Sequence, residues 1–207
     1  PLYEDLKLAL SASDGVLKER EPLKNHCSFK IGGEAEVFFR PSNEKALIKA
    51  LKTVSSRGDR LTVLGCGSNV LISDNGLKGL TVNIAGGLTD IIYLGDGVIG
   101  CSAGVPLTRL CTFALEKELT GLEFAYGIPG SVGGAVYMNA GAYGGEIKQI
   151  LTKVEYIEDG AVCSVEPEDS DLGYRFSRFA APERIVLSAE FSLSPDDGMA
   201  RRPCETH

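Results

Sequence analysis

Residues 127–145 read GIPGSVGGAVYMNAGAYGG and hold seven of the chain's 25 glycines. The stretch has no charged side chain, and Ile128, Val132, Val136 and Met138 are its only large aliphatic ones. A segment so poor in side chains builds little core. Pro129-Gly130-Ser131 reads as a helix start with Ser131 as N-cap, and the helix runs on toward Asn139. Gly133 and Gly134 would each cost that helix about 1 kcal/mol relative to Ala. Two readings compensate for this: a flat or phosphorylated ligand at the helix start, or a helix packed closely on a sheet.

A second glycine-rich loop, Gly65-Cys66-Gly67-Ser68-Asn69 followed by Val70, comes after the predicted strand LTVL at 61–64. Successive backbone N–H groups in such a loop form an anion-binding nest, and Ser68 and Asn69 add donors. A pyrophosphate is the natural guest. The loop lacks the third glycine and following helix of a dinucleotide fingerprint, and the Gly-Lys-Ser/Thr of a Walker loop. The competing reading is an ordinary tight turn between two strands. A third feature is LGYRFSRF, 172–179, where Arg175 stands between Tyr174 and Phe176. A planar guanidinium suits a carboxylate, although an arbitrary Arg is more often a solvated loop residue. Arg178 is a weaker claimant. His26, Glu123, Tyr126 and Tyr143 carry functional groups but read as structural when taken singly.

Composition narrows the partners. The net charge is -7 and no basic run occurs, which argues against nucleic acid. No apolar run is long enough to span a bilayer, and the expectation is a cytoplasmic protein with no membrane partner. The six cysteines form no CxxC pair and only two histidines exist, so no metal site and no disulfide framework is expected.

Periodicity predicts a helix over 2–10, a strand over 34–40, a helix capped by Ser42 with Ala46, Leu47, Ala50, Leu51 and Val54 on one face, and the strand 61–64. Short strands follow at 70–72, 79–84, 91–94 and 98–104. A helix after Pro106, with Leu107, Leu110, Cys111, Ala114 and Leu115 on one face, is closed by Gly121. A hairpin turns at Asp159-Gly160, and 184–194 alternates like a long strand. The expected class is α+β with mixed sheets: a first α/β lobe over 1–86, a second, strand-rich lobe over 87–195, and an irregular tail over 196–207.

Together NHCSFKIGG, LGCGSNVLISDNGLKGL, TGLEFAYGIPGSVGGAVYMNAGAYGGE and LGYRFS resemble four ordered motifs of the UDP-N-acetylenolpyruvoylglucosamine reductases, also called UDP-N-acetylmuramate dehydrogenases. Cys27 stands where that family usually has Thr. The resemblance implies a two-lobed FAD-binding domain of the vanillyl-alcohol-oxidase (PCMH) type. It implies that Gly65, Cys66, Gly67, Ser68, Asn69 and Val70 meet the FAD pyrophosphate. It places Gly127, Ile128, Gly130, Ser131, Gly133 and Gly134 along the flavin and its phosphates. It makes Tyr174 and Arg175 substrate-binding, with Arg175 catalytic. In that family NADPH reduces FAD, and a hydride then passes to the enolpyruvyl group of a UDP-sugar, giving a peptidoglycan precursor. The family's third, substrate-binding domain has no counterpart in the sequence. The expectation is therefore the FAD-binding part of the enzyme, poorly active alone, with a non-catalytic flavin-binding relic as the alternative. Covalent flavin attachment through Cys66 or His26 is a further, weaker reading.

Overall fold

A computed structural model describes residues 1–196, so most of the expected tail lies outside the described residues. Helix α1 (Leu2–Ala9) leads into strand β1 (Gly15–Pro22), which pairs antiparallel with β2 (Glu34–Pro41). β1 is a strand that the pattern did not announce. Its residues GVLKEREP are mostly polar because the strand lies at the sheet edge with much of its surface in solvent.

Helix α2 (Glu44–Arg57) buries Ala46, Leu47, Ala50, Leu51 and Val54, the predicted face. Its N-cap is Asn43 rather than Ser42: Asn43 Oδ1 accepts from the Ala46 amide at 2.9 Å. α2 delivers the chain to β3 (Leu61–Leu64), and β4 (Leu77–Asn83) completes a four-stranded sheet in the order β1-β2-β4-β3. The expected strand at 70–72 does not form; that segment belongs to the connection between β3 and β4.

The second sheet is antiparallel throughout. It begins with β5 (Ile91–Gly95) and β6 (Val98–Ser102). Helix α3 (Leu107–Glu116) follows, with Leu107, Leu110, Cys111 and Ala114 buried but Leu115 58% exposed. It ends at Glu116, and the turn is made by Lys117 and Glu118, the latter at φ 55, so Gly121 does not close it. A short strand β7 (Leu119–Thr120) leads to helix α4 (Val132–Met138) and the small hairpin β8 (Gly141–Ala142) and β9 (Gly145–Glu146). β10 (Leu151–Glu158) and β11 (Ala161–Val165) make the predicted hairpin, with Asp159 and Gly160 both at positive φ. A second small hairpin, β12 (Leu172–Gly173) and β13 (Phe176–Ser177), precedes the long β14 (Arg184–Ser192). β15 (Ser194–Pro195) pairs with β7. The large sheet runs β11-β10-β14-β6-β5.

One apolar core joins the two sheets. Val37, Phe39, Leu80 and Val82 from the first sheet and Ile99, Val154, Ala189 and Phe191 from the second belong to a single buried cluster, with Val132, Ala135 and Val136 of α4 among them. Opposite it, on the other face of the first sheet, Leu23, Cys27, Ala35, Phe38, Leu64 and Ile72 form a smaller core.

Candidate functional site

β3 and β4 are parallel neighbours, with Leu61 opposite Leu80 and Leu64 opposite Asn83. Adjacent parallel strands cannot be joined by a tight turn, because the chain must travel back the length of a strand before it can pair again. Residues 65–76 make that return without a helix, which removes the tight-turn reading of the first glycine loop. The loop lies on the NHCSFKIGG segment. The Ser28 amide donates to the Gly67 carbonyl at 3.0 Å. At Gly67, φ is +66° and a Cβ would stand 2.0 Å from the His26 carbonyl oxygen. Buried Asn83 adds a brace: its Nδ2 donates to the Gly65 carbonyl at 2.9 Å, and Arg40 Nε donates to its Oδ1 at 3.2 Å. With these anchors made, the amides of residues 67–70 donate to no acceptor among the described residues.

Residues 67–70 border a cavity of about 860 Å³, within the usual range for small-molecule sites. Its walls come from both sheets. Residues 65–70 form one side, and Ile128, Gly130, Ser131, Gly133 and Gly134 form another, so the structure brings the two glycine-rich stretches together. Tyr174 and Arg175 stand on a third side, while Gly127 does not line the cavity.

Helix α4 starts as the sequence predicts. Ser131 is the N-cap and its Oγ accepts from the Gly134 amide at 3.4 Å. The helix start is not a free anion site, however. The Val132 amide donates to the Val105 carbonyl at 2.9 Å and the Gly133 amide to the Ala103 carbonyl at 2.8 Å. A Cβ on Gly133 would stand 2.8 Å from the Ala103 Cβ. Gly133 is therefore glycine so that α4 can lie against the end of β6. Gly134 differs: a Cβ there would meet only Ser131 Oγ within 4 Å, at 3.4 Å, so its side-chain space opens toward the cavity.

Two hairpin tips complete the mouth. Tyr143 and Gly144 turn the β8–β9 hairpin at φ 51 and 84, and Tyr143 is 98% exposed. Tyr174 and Arg175 turn the β12–β13 hairpin, with Arg175 at φ 52 and its Nη2 3.4 Å from Asn69 Oδ1. That contact joins the first glycine loop to the arginine segment. Both feet of this hairpin are tied to α4. Asn139, 4% exposed and left-handed at the helix C-cap, donates through Nδ2 to the Gly173 carbonyl and to Glu146 Oε2, both at 3.0 Å, and its Oδ1 accepts from the Lys148 amide at 2.9 Å. Ser177 Oγ donates to the Tyr137 carbonyl at 2.9 Å. Sequence reasoning missed Asn139 and Tyr137. The available signal for Asn139 was an Asn at the end of a short helix followed by Ala and Gly, the pattern of a left-handed cap.

The remaining candidates have other employment. His26 Nε2 lies 2.8 Å from Glu21 Oε1, and its ring stacks on Phe38 with centroids 4.4 Å apart. It borders a smaller cavity behind the loop rather than the large one. Glu123 accepts from the Thr120 hydroxyl and the Gly121 amide, so it organises its own turn. Arg178 bonds Asp171 at 3.3 Å. Tyr126 does not line the cavity, whereas Tyr143 does. Cys66 lines it, but burial pushes its thiol up, only partly offset by the Ser131 hydroxyl. The protonated thiol is a poor nucleophile at neutral pH, which weighs against covalent attachment through it.

A family model described as an FAD-binding domain matches residues 35–165, which include both glycine-rich loops. The chain belongs to the FAD-binding domain family. It is similar to UDP-N-acetylenolpyruvoylglucosamine reductase 2 of Bacillus cereus, 43% identical over 193 residues, covering 93% of this chain and 62% of the relative. It is 44% identical over 197 residues to the UDP-N-acetylenolpyruvoylglucosamine reductase of Geobacillus kaustophilus, covering 95% and 64%. The crystal structure of the Thermus caldophilus reductase superposes with a TM-score of 0.76 at 32% identity, over 90% of this chain and 66% of that one. An alkyldihydroxyacetonephosphate synthase structure, 9% identical, matches with a TM-score of 0.68 and supports the fold alone. The fold is α+β, of the PCMH type. The chain spans less than two thirds of the length of these curated relatives. FAD is the cofactor of the family, and the residues present fit it. A run of unbonded amides at 67–70 suits a pyrophosphate, and the cavity has the volume and walls for a large, flat, partly apolar ligand.

Proposed function

We propose that this chain is the FAD-binding part of a cytoplasmic reductase. The full enzyme converts UDP-N-acetylglucosamine enolpyruvate to UDP-N-acetylmuramate, with NADPH as hydride donor, in peptidoglycan synthesis. The lobes are 1–86 and 87–195, with the cofactor between them. The observation that carries the reading is the position of Arg175. In a chain 43% identical to such a reductase, its hairpin holds it at the cavity wall within 3.4 Å of Asn69 on the opposite loop.

FAD, when bound, supplies the hydride chemistry. The chain's own residues hold and position. The amides of 67–70, with Ser68 and Asn69, take the pyrophosphate; Gly65, Cys66 and Val70 shape that loop. Ile128, Gly130, Ser131 and Gly134 line the opposite wall. Arg175 binds the enolpyruvyl carboxylate, with Tyr174 beside it. As the alkene is reduced, negative charge builds on that carboxylate. A guanidinium already in place stabilises it there without reorganising.

The test is an absorption spectrum of the purified chain with and without added FAD. The expected result is a flavin spectrum at one FAD per chain, with free FAD released on acid precipitation. A protein that stays colourless after incubation with FAD and desalting would contradict the proposal.

A further inference from the structure

Arg175 is long and stands at the tip of a hairpin whose strands are two residues each. Such a tip has little of its own to hold it still. Its position comes from below, and we infer that Asn139 is a positioning residue that fixes Arg175 at the cavity mouth. This rests on the proposed role of Arg175 toward the substrate carboxylate.

The geometry is specific. Asn139 sits where α4 ends, and its three side-chain bonds run to three different segments: the Gly173 carbonyl in β12, the Glu146 carboxylate in β9, and the Lys148 amide just beyond. Gly173 is two residues before Arg175, and Glu146 closes the hairpin whose tip is Tyr143. One buried amide therefore sets the spacing between two tips that both line the cavity. No other residue type fills the role: the site needs two donors and one acceptor on a short planar group, at a backbone position that favours Asn or Gly. Asp keeps the acceptor for Lys148 but turns a carboxylate toward Glu146 and toward a carbonyl. Gly keeps the left-handed backbone and removes every bond. Ser177, which ties the β13 foot of the same hairpin to the Tyr137 carbonyl, remains in either variant, so the hairpin stays folded while its β12 foot is released.

The test uses the 207-residue chain loaded with FAD. In Asn139→Gly, amide hydrogen exchange over residues 172–177 and at Lys148 should rise about tenfold, the scale of one lost buried hydrogen bond, while β10 and β14 exchange as before. In Asn139→Asp, which keeps the acceptor for the Lys148 amide but loses the donor to the Gly173 carbonyl, exchange over residues 172–177 should rise as in Asn139→Gly while the Lys148 amide stays protected. In a second arm, the flavin absorption change is titrated with UDP-N-acetylglucosamine enolpyruvate. Asn139→Gly and Arg175→Lys should each raise the half-saturation concentration about tenfold, and the double variant should be no worse than Arg175→Lys alone, as expected when one residue acts through the other. Unchanged exchange in residues 172–177, or strictly additive effects in the titration, would overturn the inference. If the unaltered chain binds FAD but gives no response to the enolpyruvyl compound, the substrate reading fails, and the exchange arm still decides whether Asn139 holds the hairpin.

Discussion

Gly133 and Gly134 are adjacent in one short helix and are glycine for opposite reasons. The first is pressed on Ala103, and the second faces open space at the cavity edge. Gly133→Ala should thus destabilise the fold by about 1–3 kcal/mol, the usual cost of forcing a methyl into a packed site. Gly134→Ala should leave stability unchanged or raise it by up to about 1 kcal/mol through helix propensity. For FAD the order reverses: Gly134→Val fills the cavity edge and should weaken binding about tenfold or more. Denaturant midpoints and FAD titrations of the purified variants measure both. Equal stability losses at the two positions would remove the distinction. The sequence shows that both residues lack side chains but not which neighbour each one meets, because Ala103 lies far back in the chain on another element.

At the level of elements, the cap of α2 shows how finely a sequence can be read. Ser42 and Asn43 are both good caps, and only the observed bond to the Ala46 amide chooses between them. The β3–β4 connection is a larger case. Hydrophobic runs announce strands but not their partners, so the parallel pairing that turns 65–76 into a long return loop was invisible until Leu61 was seen opposite Leu80. The hairpin that carries Arg175 yields a prediction of its own. A non-glycine residue at φ 52 is held in a conformation that costs on the order of 1 kcal/mol, and Asn tolerates it better than Arg. Arg175→Asn should therefore leave stability unchanged or slightly raised, while the flavin response to the enolpyruvyl substrate is lost. A clear drop in melting temperature would show that Arg175 serves the fold. Asp14 supplies an element-scale pH effect. The Ser11 amide, the Lys49 ammonium on α2 and the Ser11 hydroxyl hold its carboxyl below the ordinary range. A depressed folded-state pKa gives stability that is present above the unfolded value, near 3.8, and is lost as pH falls through the folded one. Asp14→Asn should then flatten the fall in denaturant midpoint below about pH 4 and lower the plateau above it.

Over the whole molecule, the two sheets read as separate lobes in the sequence but share one apolar core in the structure. Strand periodicity reports which face of each strand is buried, not what that face is buried against. Phe39 of the first sheet and Phe191 of the second alternate correctly in their own strands, and nothing in that alternation says that they join one cluster. The consequence is thermodynamic. With Val132 and Val136 of α4 in the same cluster as residues of both sheets, neither half can expose its inner face without exposing the other's. Unfolding should then be a single transition by calorimetry, with matching loss of near- and far-ultraviolet circular dichroism. The proposed FAD site has walls from both halves, so the cofactor should raise that one transition rather than split it. At a free concentration about a hundred times its dissociation constant, a ligand confined to the folded state adds about 2.7 kcal/mol. For a chain of this size that is roughly 5–10 °C in melting temperature. Two resolved transitions, with only the upper one shifted by FAD, would mean that the sheets fold independently and that the shared cluster contributes little to their cooperation.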